Sequence, residues 1–331
     1  MLKMRKTTIK GVAAAAGVSV TTVSDALSGK GRLPDATREK VQAIANQLGY
    51  RPSAIARGLR GSGIGLVGIC IAPAGGGGAL TDVSYWAAIV THASQAFLSD
   101  GHAAVLLPHD VGLLETLHIP LDGVIVVDPL ERDPVLTFFE DRNIRCLTIG
   151  RDVSKTESIW VDDDTATGVR RLIEATISPG TKLAFLRVGP IKSYVTDAIS
   201  GARSWAADGG GTLSIHQCAG LESEHVAHTV REAVHEGATA ILTQNDRLAL
   251  RVRDVLQAMG RDVPGDVRLL SAADAMELGQ GPVGISAARP HPARLAEMAA
   301  AKLLDMIRGQ PDVASTMSPM EVSIRESAPL L

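Results

Sequence analysis

The sequence predicts an α/β protein in two parts: a small N-terminal helix-turn-helix head, then a core of parallel sheets covered by helices. Three observations predict it. Residues 8–48 carry helix-spaced apolar positions and no strand pattern. From residue 64 onward, short continuous apolar runs alternate with amphipathic stretches. Charge divides at the same place: residues 1–60 hold eleven Lys/Arg and three Asp/Glu, a balance of +8, so in a chain of net charge −3 the remainder carries −11. A basic segment on an acidic body is the electrostatic footprint of phosphate binding.

In the head, Thr7 or Thr8 can cap a first helix. Ile9, Val12, Ala13 and Ala16 form one apolar face. Gly17, free to take positive φ, ends it, and Ser19 caps the next helix. There Val23, Ala26 and Leu27 should bury, which turns Val20, Thr21, Ser24 and Asp25 outward. A third helix is expected over about 34–48, with Val41, Ile44, Ala45 and Leu48 as its stripe. Two short helices joined by a Gly-containing turn are a helix-turn-helix, whose second helix enters the DNA major groove. A three-helix bundle with another task has the same spacing; the +8 charge favours the DNA reading.

The dense run of Thr8-Ile-Lys, Val12-Ala, Ala16-Gly-Val-Ser19, Thr22-Val-Ser24, Leu27-Ser-Gly29, Arg32, Thr37-Arg-Glu39, Leu48-Gly-Tyr-Arg-Pro52, Ala54-Ile-Ala-Arg57 and Leu59 closely resembles the lactose-repressor/galactose-repressor family of bacterial transcription regulators. The resemblance implies DNA-binding roles for Thr8, Arg32 and Tyr50, places Val20, Thr21 and Asp25 at base edges, and sets Thr22 and Ser24 at phosphates. It makes Leu59 the wedge at the operator centre, with Arg57 beside it; such wedges kink DNA. Two residues depart from the pattern. Asp25 stands where relatives often carry a donor such as Arg; it can accept from cytosine N4 but repels phosphate. Gly58 weakens a hinge helix too short to hold itself together, so residues 53–60 are expected to fold only on the operator, against a second subunit. The expected divisions are a head at 1–51, a hinge at 52–62 and a core at 63–331.

In the core, strands are expected at 64–71, 103–107, 123–127, 145–149, 182–188, 240–243 and 268–271. Helices are expected at about 84–99, 134–142, 164–176, 196–207, 222–235, 247–259 and 293–307. Continuous apolar strands between amphipathic helices indicate parallel sheets covered on both faces, with ligands at the strands' carboxyl ends. The resemblance continues more loosely through Leu121-Asp-Gly-Val-Ile125, Ile149-Gly-Arg151, Val161-Asp162 with Gly168, Asn245-Asp246 and Glu321 to Ser327. It implies a core like periplasmic sugar-binding proteins, with lobes at roughly 63–160 with 290–308 and 161–289 with 309–331. It also implies a small-molecule effector in the cleft and a homodimer along one side.

The cleft departs most from that family. The 108–120 crossover looks trimmed where relatives place a full helix. Ala198 stands where the family often has an effector-binding Arg, and Ser271-Ala-Ala273 replaces its Gly-aromatic-Asp, leaving only Asp274 acidic. A buried hydroxyl without a partner costs about 1–3 kcal/mol, so a different ligand, or none, is compatible with this cleft. The groups left to line it are Tyr85 and Trp86, Arg151 and Asp162, Ser193 and Tyr194, and Asn245, Asp246 and Asp274. Tyr85-Trp86 is either an aromatic platform or a helix anchor. Asn245-Asp246 is either a ligand contact or a helix cap.

No apolar run is long enough for a membrane span, and no apolar segment follows the basic N-terminus as in a secretory signal, so a cytoplasmic protein is expected. Cys70, Cys146 and Cys218 read as buried reduced thiols. Gly63, Gly65 and Gly68 match a dinucleotide fingerprint, but a helix precedes them and a strand overlaps them, the reverse of what it requires, so no cofactor is expected. His225, His228 and His235 with Glu224 lack a fourth ligand at metal spacing, so no metal is expected. No nucleophile elbow, phosphate loop or paired catalytic His/Cys occurs. The reading is a non-enzymatic, sequence-specific DNA-binding regulator, a repressor, acting as a homodimer on a near-palindromic operator. The alternative is a small-molecule binding protein or enzyme on the same core with the head secondary.

Overall fold

The computed structural model describes residues 8–28, 33–50, 63–73, 83–209 and 211–331. It divides into two compact units, Met1–Gly65 and Leu66–Leu331. Among the described residues of the first are helices α1 (Ile9–Ala16), α2 (Val20–Ser28) and α3 (Asp35–Gln47). Their core is small: Val12, Ala13, Ala16, Val23, Ala26, Val41 and Ala45 bury, and Ile9, Leu27, Ile44 and Tyr50 pack around them. Leu48, expected on the buried stripe of α3, lies just past that helix and is 39% exposed. The expected hinge at 52–62, with Arg57, Gly58 and Leu59, lies outside the described residues, as does Arg32.

The second unit holds two six-stranded sheets. The first contains β1 (Leu66–Ile71), β2 (Ala103–Leu107), β3 (Gly123–Val127), β4 (Arg145–Ile149), β5 (Trp160–Asp163) and, from far along the chain, β11 (Thr316–Ser318). Its order is β11-β5-β4-β3-β1-β2, all parallel. The side-chain alternation of a strand sends Val67, Ile69, Ile125 and Val127 to one face, where α4 (Val83–Ser99) and α11 (Pro292–Ile307) cover them. Cys70, Val124 and Val126 go to the other, under α5 (Val111–Leu117) and α6 (Pro134–Glu140). Burial on both faces is why these strands read as unbroken apolar runs.

The second sheet contains β6 (Lys182–Val188), β7 (Thr212–Cys218), β8 (Ala240–Thr243), β9 (Arg268–Ser271), β10 (Ser286–Arg289) and β12 (Glu321–Ser323). Its order is β12-β10-β9-β8-β6-β7, with β12 antiparallel. On one face lie α7 (Thr165–Thr176) and α8 (Ser193–Gly209), and on the other α9 (Ser223–His235) and α10 (Asp246–Ala258). Gly201 lets α7 and α8 cross closely: a Cβ there would lie 2.3 Å from the Ala166 carbonyl oxygen. Since backbone must shift to admit it, Gly201→Ala is expected to lower the unfolding free energy by about 1–3 kcal/mol. An unchanged urea midpoint would contradict that crossing.

The chain passes between the lobes three times, at β5 to α7, at β10 to α11 and at β11 to β12. The crossings are tied together, as Asp164 N–H donates to the Ser318 carbonyl at 2.7 Å. Trp160–Asp163 and Thr316–Ser318 pair in the first sheet, whereas the expected lobe boundaries assign residues from 161 and from 309 to the second. The trimmed 108–120 crossover does hold a helix, the two-turn α5, capped by Asp110 accepting Leu113 N–H at 3.0 Å.

Candidate nucleic-acid interface and interlobe cleft

The head presents α2 outward in a defined register. Thr8 caps α1 by accepting Gly11 N–H at 3.3 Å, and Gly17 closes it at φ 69°. Ser19 then caps α2, accepting Thr22 N–H at 3.0 Å, with its hydroxyl 2.8 Å from that of Thr22. With Val23 and Ala26 buried, Val20 is 41% exposed. Thr21 beside it is exposed, and Thr22, Ser24 and Asp25 are half-buried. Lys10 and Lys40 are also exposed. Tyr50 packs on the head core, and its backbone N–H donates to the Ala45 carbonyl at 2.8 Å.

In the core, a cavity of about 320 Å³ opens between the lobes, beside the three crossings. Seven of the nine expected cleft residues line it: Tyr85, Trp86, Asp162, Tyr194, Asn245, Asp246 and Asp274. Trp86 serves as both anchor and wall. It is buried in the first lobe's core, and its indole N–H makes a long 3.5 Å contact to Asp128 Oδ2. Asn245 caps α10, accepting Leu248 N–H at 3.0 Å, so its side-chain oxygen is engaged. Asp274 holds the last strands through Oδ2, which accepts from Ser323 Oγ at 2.7 Å and Arg325 at 2.9 Å.

The other two expected residues, Arg151 and Ser193, do not line the cavity. They form the polar bridge beneath it. Arg151, from the end of β4, donates Nε–H to Asp162 Oδ2 at 3.0 Å and pairs through Nη2 with Asp197 on α8. Ser193 Oγ donates to Asp162 Oδ2 at 3.0 Å and accepts Arg151 N–H at 3.1 Å. Arg151 is thus an interlobe clasp rather than a solvated side chain. Burial pushes Asp162 up to about 6 despite the Arg151 charge beside it, because the carboxyl is almost wholly removed from water.

Sequence reasoning passed over Asp128, Asp163, Lys192, Arg247 and Glu277, which also line the cavity. Asp163 is 5% exposed. Burial, with Asp162 adjacent, raises its pKa to about 7. Its Oδ1 is buried without a hydrogen-bond partner. The run Asp162-Asp163-Asp164 has the sequence look of a strand end followed by a helix start. That holds for Asp164, whose carboxylate accepts Thr167 N–H at 3.2 Å. Lys192 is 4% exposed; burial lowers its pKa, against the opposing pull of Asp128 and Asp133. Its neighbours in sequence, Ile191 and Ser193, gave no cue to a buried cation.

The model of bacterial regulatory proteins of the lacI family matches residues 8–53, and that of the periplasmic binding protein-like domain matches residues 181–328. The chain joins a LacI-family head to a periplasmic-binding-protein-like core domain. The chain is 31% identical to the HTH-type transcriptional regulator RafR of Escherichia coli over 196 residues, 56% of the chain; the match spans little over half of that relative, 57%. Among solved structures, a lac repressor dimer bound to operator and the anti-inducer ONPF aligns with TM-score 0.75 at 20% identity, over 98% of this chain and 100% of that one. A transcriptional regulator CelR–cellobiose complex aligns with TM-score 0.69 at 22% identity, over 97% and 100%. These two likenesses show a shared fold. Among the described residues, no helix is long and apolar enough to cross a membrane.

Proposed function

We propose that this LacI-family regulator is a repressor that binds a near-palindromic operator as a homodimer and takes a small-molecule effector between its lobes. The observation that carries the reading is the register of α2. With Val23 and Ala26 buried, Val20 and Thr21 face outward at the start of that helix, in a segment, residues 1–60, of charge +8. Val20, Thr21 and Asp25 read base edges, while Thr22, Ser24 and Thr8 serve the phosphates; Arg32, Tyr50, Arg57 and Leu59 keep the roles the family resemblance implies. Relatives named as transcriptional regulators and the operator-bound lac repressor support the DNA reading, and the cellobiose-bound CelR supports a ligand in the cleft.

The dimer reading is supported by exposed leucines at the β2 edge of the first lobe: Leu98 at the end of α4, Leu106 on β2, and Leu113 and Leu117 on α5. Leu106, 61% exposed on an edge strand, is an aggregation liability unless a partner covers it. Leu106→Glu is expected to convert a dimer to a monomer in sedimentation velocity. A wild-type monomer would remove this part of the reading.

The deciding experiment is selection of sites by the purified protein from a random duplex pool at two salt concentrations. The expected product is an inverted repeat, bound with an affinity that falls by about 0.9 log units per log unit of salt for each phosphate contact. Thr21→Ala should change base preference by about 1–3 kcal/mol at one position of each half-site. Lys10→Ala should weaken all sequences alike. Salt-sensitive binding with no enriched sequence would refute the operator reading.

A further inference from the structure

Hydrogen-bonding groups in the interlobe cavity divide into those the fold already uses and those it does not. Gln244 commits both ends of its amide to Val188, accepting its N–H at 3.1 Å and donating to its carbonyl at 2.9 Å. Asn245 Oδ1 caps a helix, and the Trp86 indole faces Asp128. Asp162 accepts the Asp163 backbone N–H on Oδ1 and Arg151 and Ser193 on Oδ2.

The lining carries more acidic than basic side chains, and its uncommitted groups include carboxylate oxygens. Asp163 accepts the His291 backbone N–H on one side, while its Oδ1 is buried and unpartnered. Asp274 Oδ1 is also buried and unpartnered, and Glu277 adds a third carboxylate to the lining. Donors remain as well, among them Lys192, which makes no ion pair within 4.0 Å among the described residues, and Arg247, whose Nη1 is buried and unpartnered. A neutral sugar hydroxyl both donates and accepts, so it suits a site with both kinds of group in balance. An ammonium group offers three donors, no acceptor and a positive charge. It therefore answers a buried orphan carboxylate oxygen better than a hydroxyl does. The cavity volume of about 320 Å³ and the Tyr85 ring suit a ligand of monosaccharide size with a carbon face to stack.

We propose that the cleft selects a small polyol carrying a protonated amine, an amino sugar in chemical class, with its ammonium group on Asp163 and its hydroxyls toward Lys192 and Arg247. This rests on the cleft being an effector site. Its test is calorimetric titration of the full chain with D-glucosamine, D-galactosamine and D-mannosamine, each against its parent hexose and its N-acetyl derivative. At least one amine is expected to bind ten-fold or more tightly than both neutral partners. Asp163→Asn is expected to reduce that preference below two-fold without lowering the melting temperature. Neutral forms binding as tightly as the amines, no binding of any amine, or full preference retained in Asp163→Asn would each overturn the assignment. Binding to a DNA site selected from the random pool is measured on the same preparation. A protein that holds its DNA site but ignores amines loses only the ligand class. A protein that discriminates amines but enriches no DNA site keeps the ligand class and loses the operator reading.

Discussion

Asp163→Asn is expected to remove a pH dependence of stability between about pH 4 and pH 7. Burial holds the Asp163 carboxyl at about 7 in the folded chain, against an ordinary value of 3.8. Between those values the folded state keeps a proton that the unfolded state has lost. Stability tied to this group is therefore fully present below about pH 4, declines as pH rises, and is gone above about pH 7. At about 1.4 kcal/mol for each pH unit, that window of roughly three pH units puts the whole change at about 4 kcal/mol, an order-of-magnitude figure. An Asn carries no such titration: its oxygen can accept the His291 N–H and its amide can donate to neighbouring carboxylates. The variant's advantage over the wild type in urea unfolding should thus grow between pH 4 and pH 8. Parallel stability curves across that range would contradict a desolvated, ionisable Asp163. Destabilisation held at one buried carboxylate is what a binding site kept for function looks like.

Arg151→Met is expected to weaken the core by about 3 kcal/mol. The guanidinium side chain is 23% exposed, and the carboxylates it joins, Asp162 and Asp197, are 8% and 16% exposed. Removing it leaves two desolvated carboxylates, both already raised above their ordinary pKa by burial, without the charge that offsets that cost. It also vacates the space beside the Trp160 ring, whose centroid lies 5.3 Å from the guanidinium carbon. Arg151→Lys should recover only part of the loss, because an ammonium cannot present a planar fork to two carboxylates at once. A double-mutant cycle with Asp197→Asn measures the interlobe part. Additive losses would mean that Arg151 stabilises the first lobe alone and does not clasp the second.

Much of the architecture was legible because burial on both faces leaves a plain mark. The strand at 123–127 is a continuous apolar run and that at 182–188 has an apolar centre, Leu183 to Leu186, and both were placed to the residue. The missed strands lack that mark. Thr212–Cys218 is an edge strand with one solvent-facing side, so its sequence alternates polar and apolar residues. Ser286–Arg289 is built from small residues with little strand preference. It is held by the C-terminal segment, where Ser286 Oγ accepts Arg325 N–H at 2.8 Å and donates to the Ala328 carbonyl at 2.9 Å. In the cleft, the residues that were found announce themselves by type, as aromatic rings or as polar groups at strand ends. Lys192 and Arg247 look like ordinary surface cations until the lobes close around them.

The sequence by itself determined the head, its helix register and the alternation of the core, because periodicity, caps and charge are local properties of neighbouring residues. Only the tertiary structure decided that Arg151 joins two lobes, that Asp162 is engaged, and that Asp163, one residue further, keeps a buried oxygen without a partner. The physical reason is that desolvation and pairing depend on what three separated crossings bring within a few ångströms. Adjacent carboxylates in one strand point to opposite sides, and nothing in their order says which side the fold will fill.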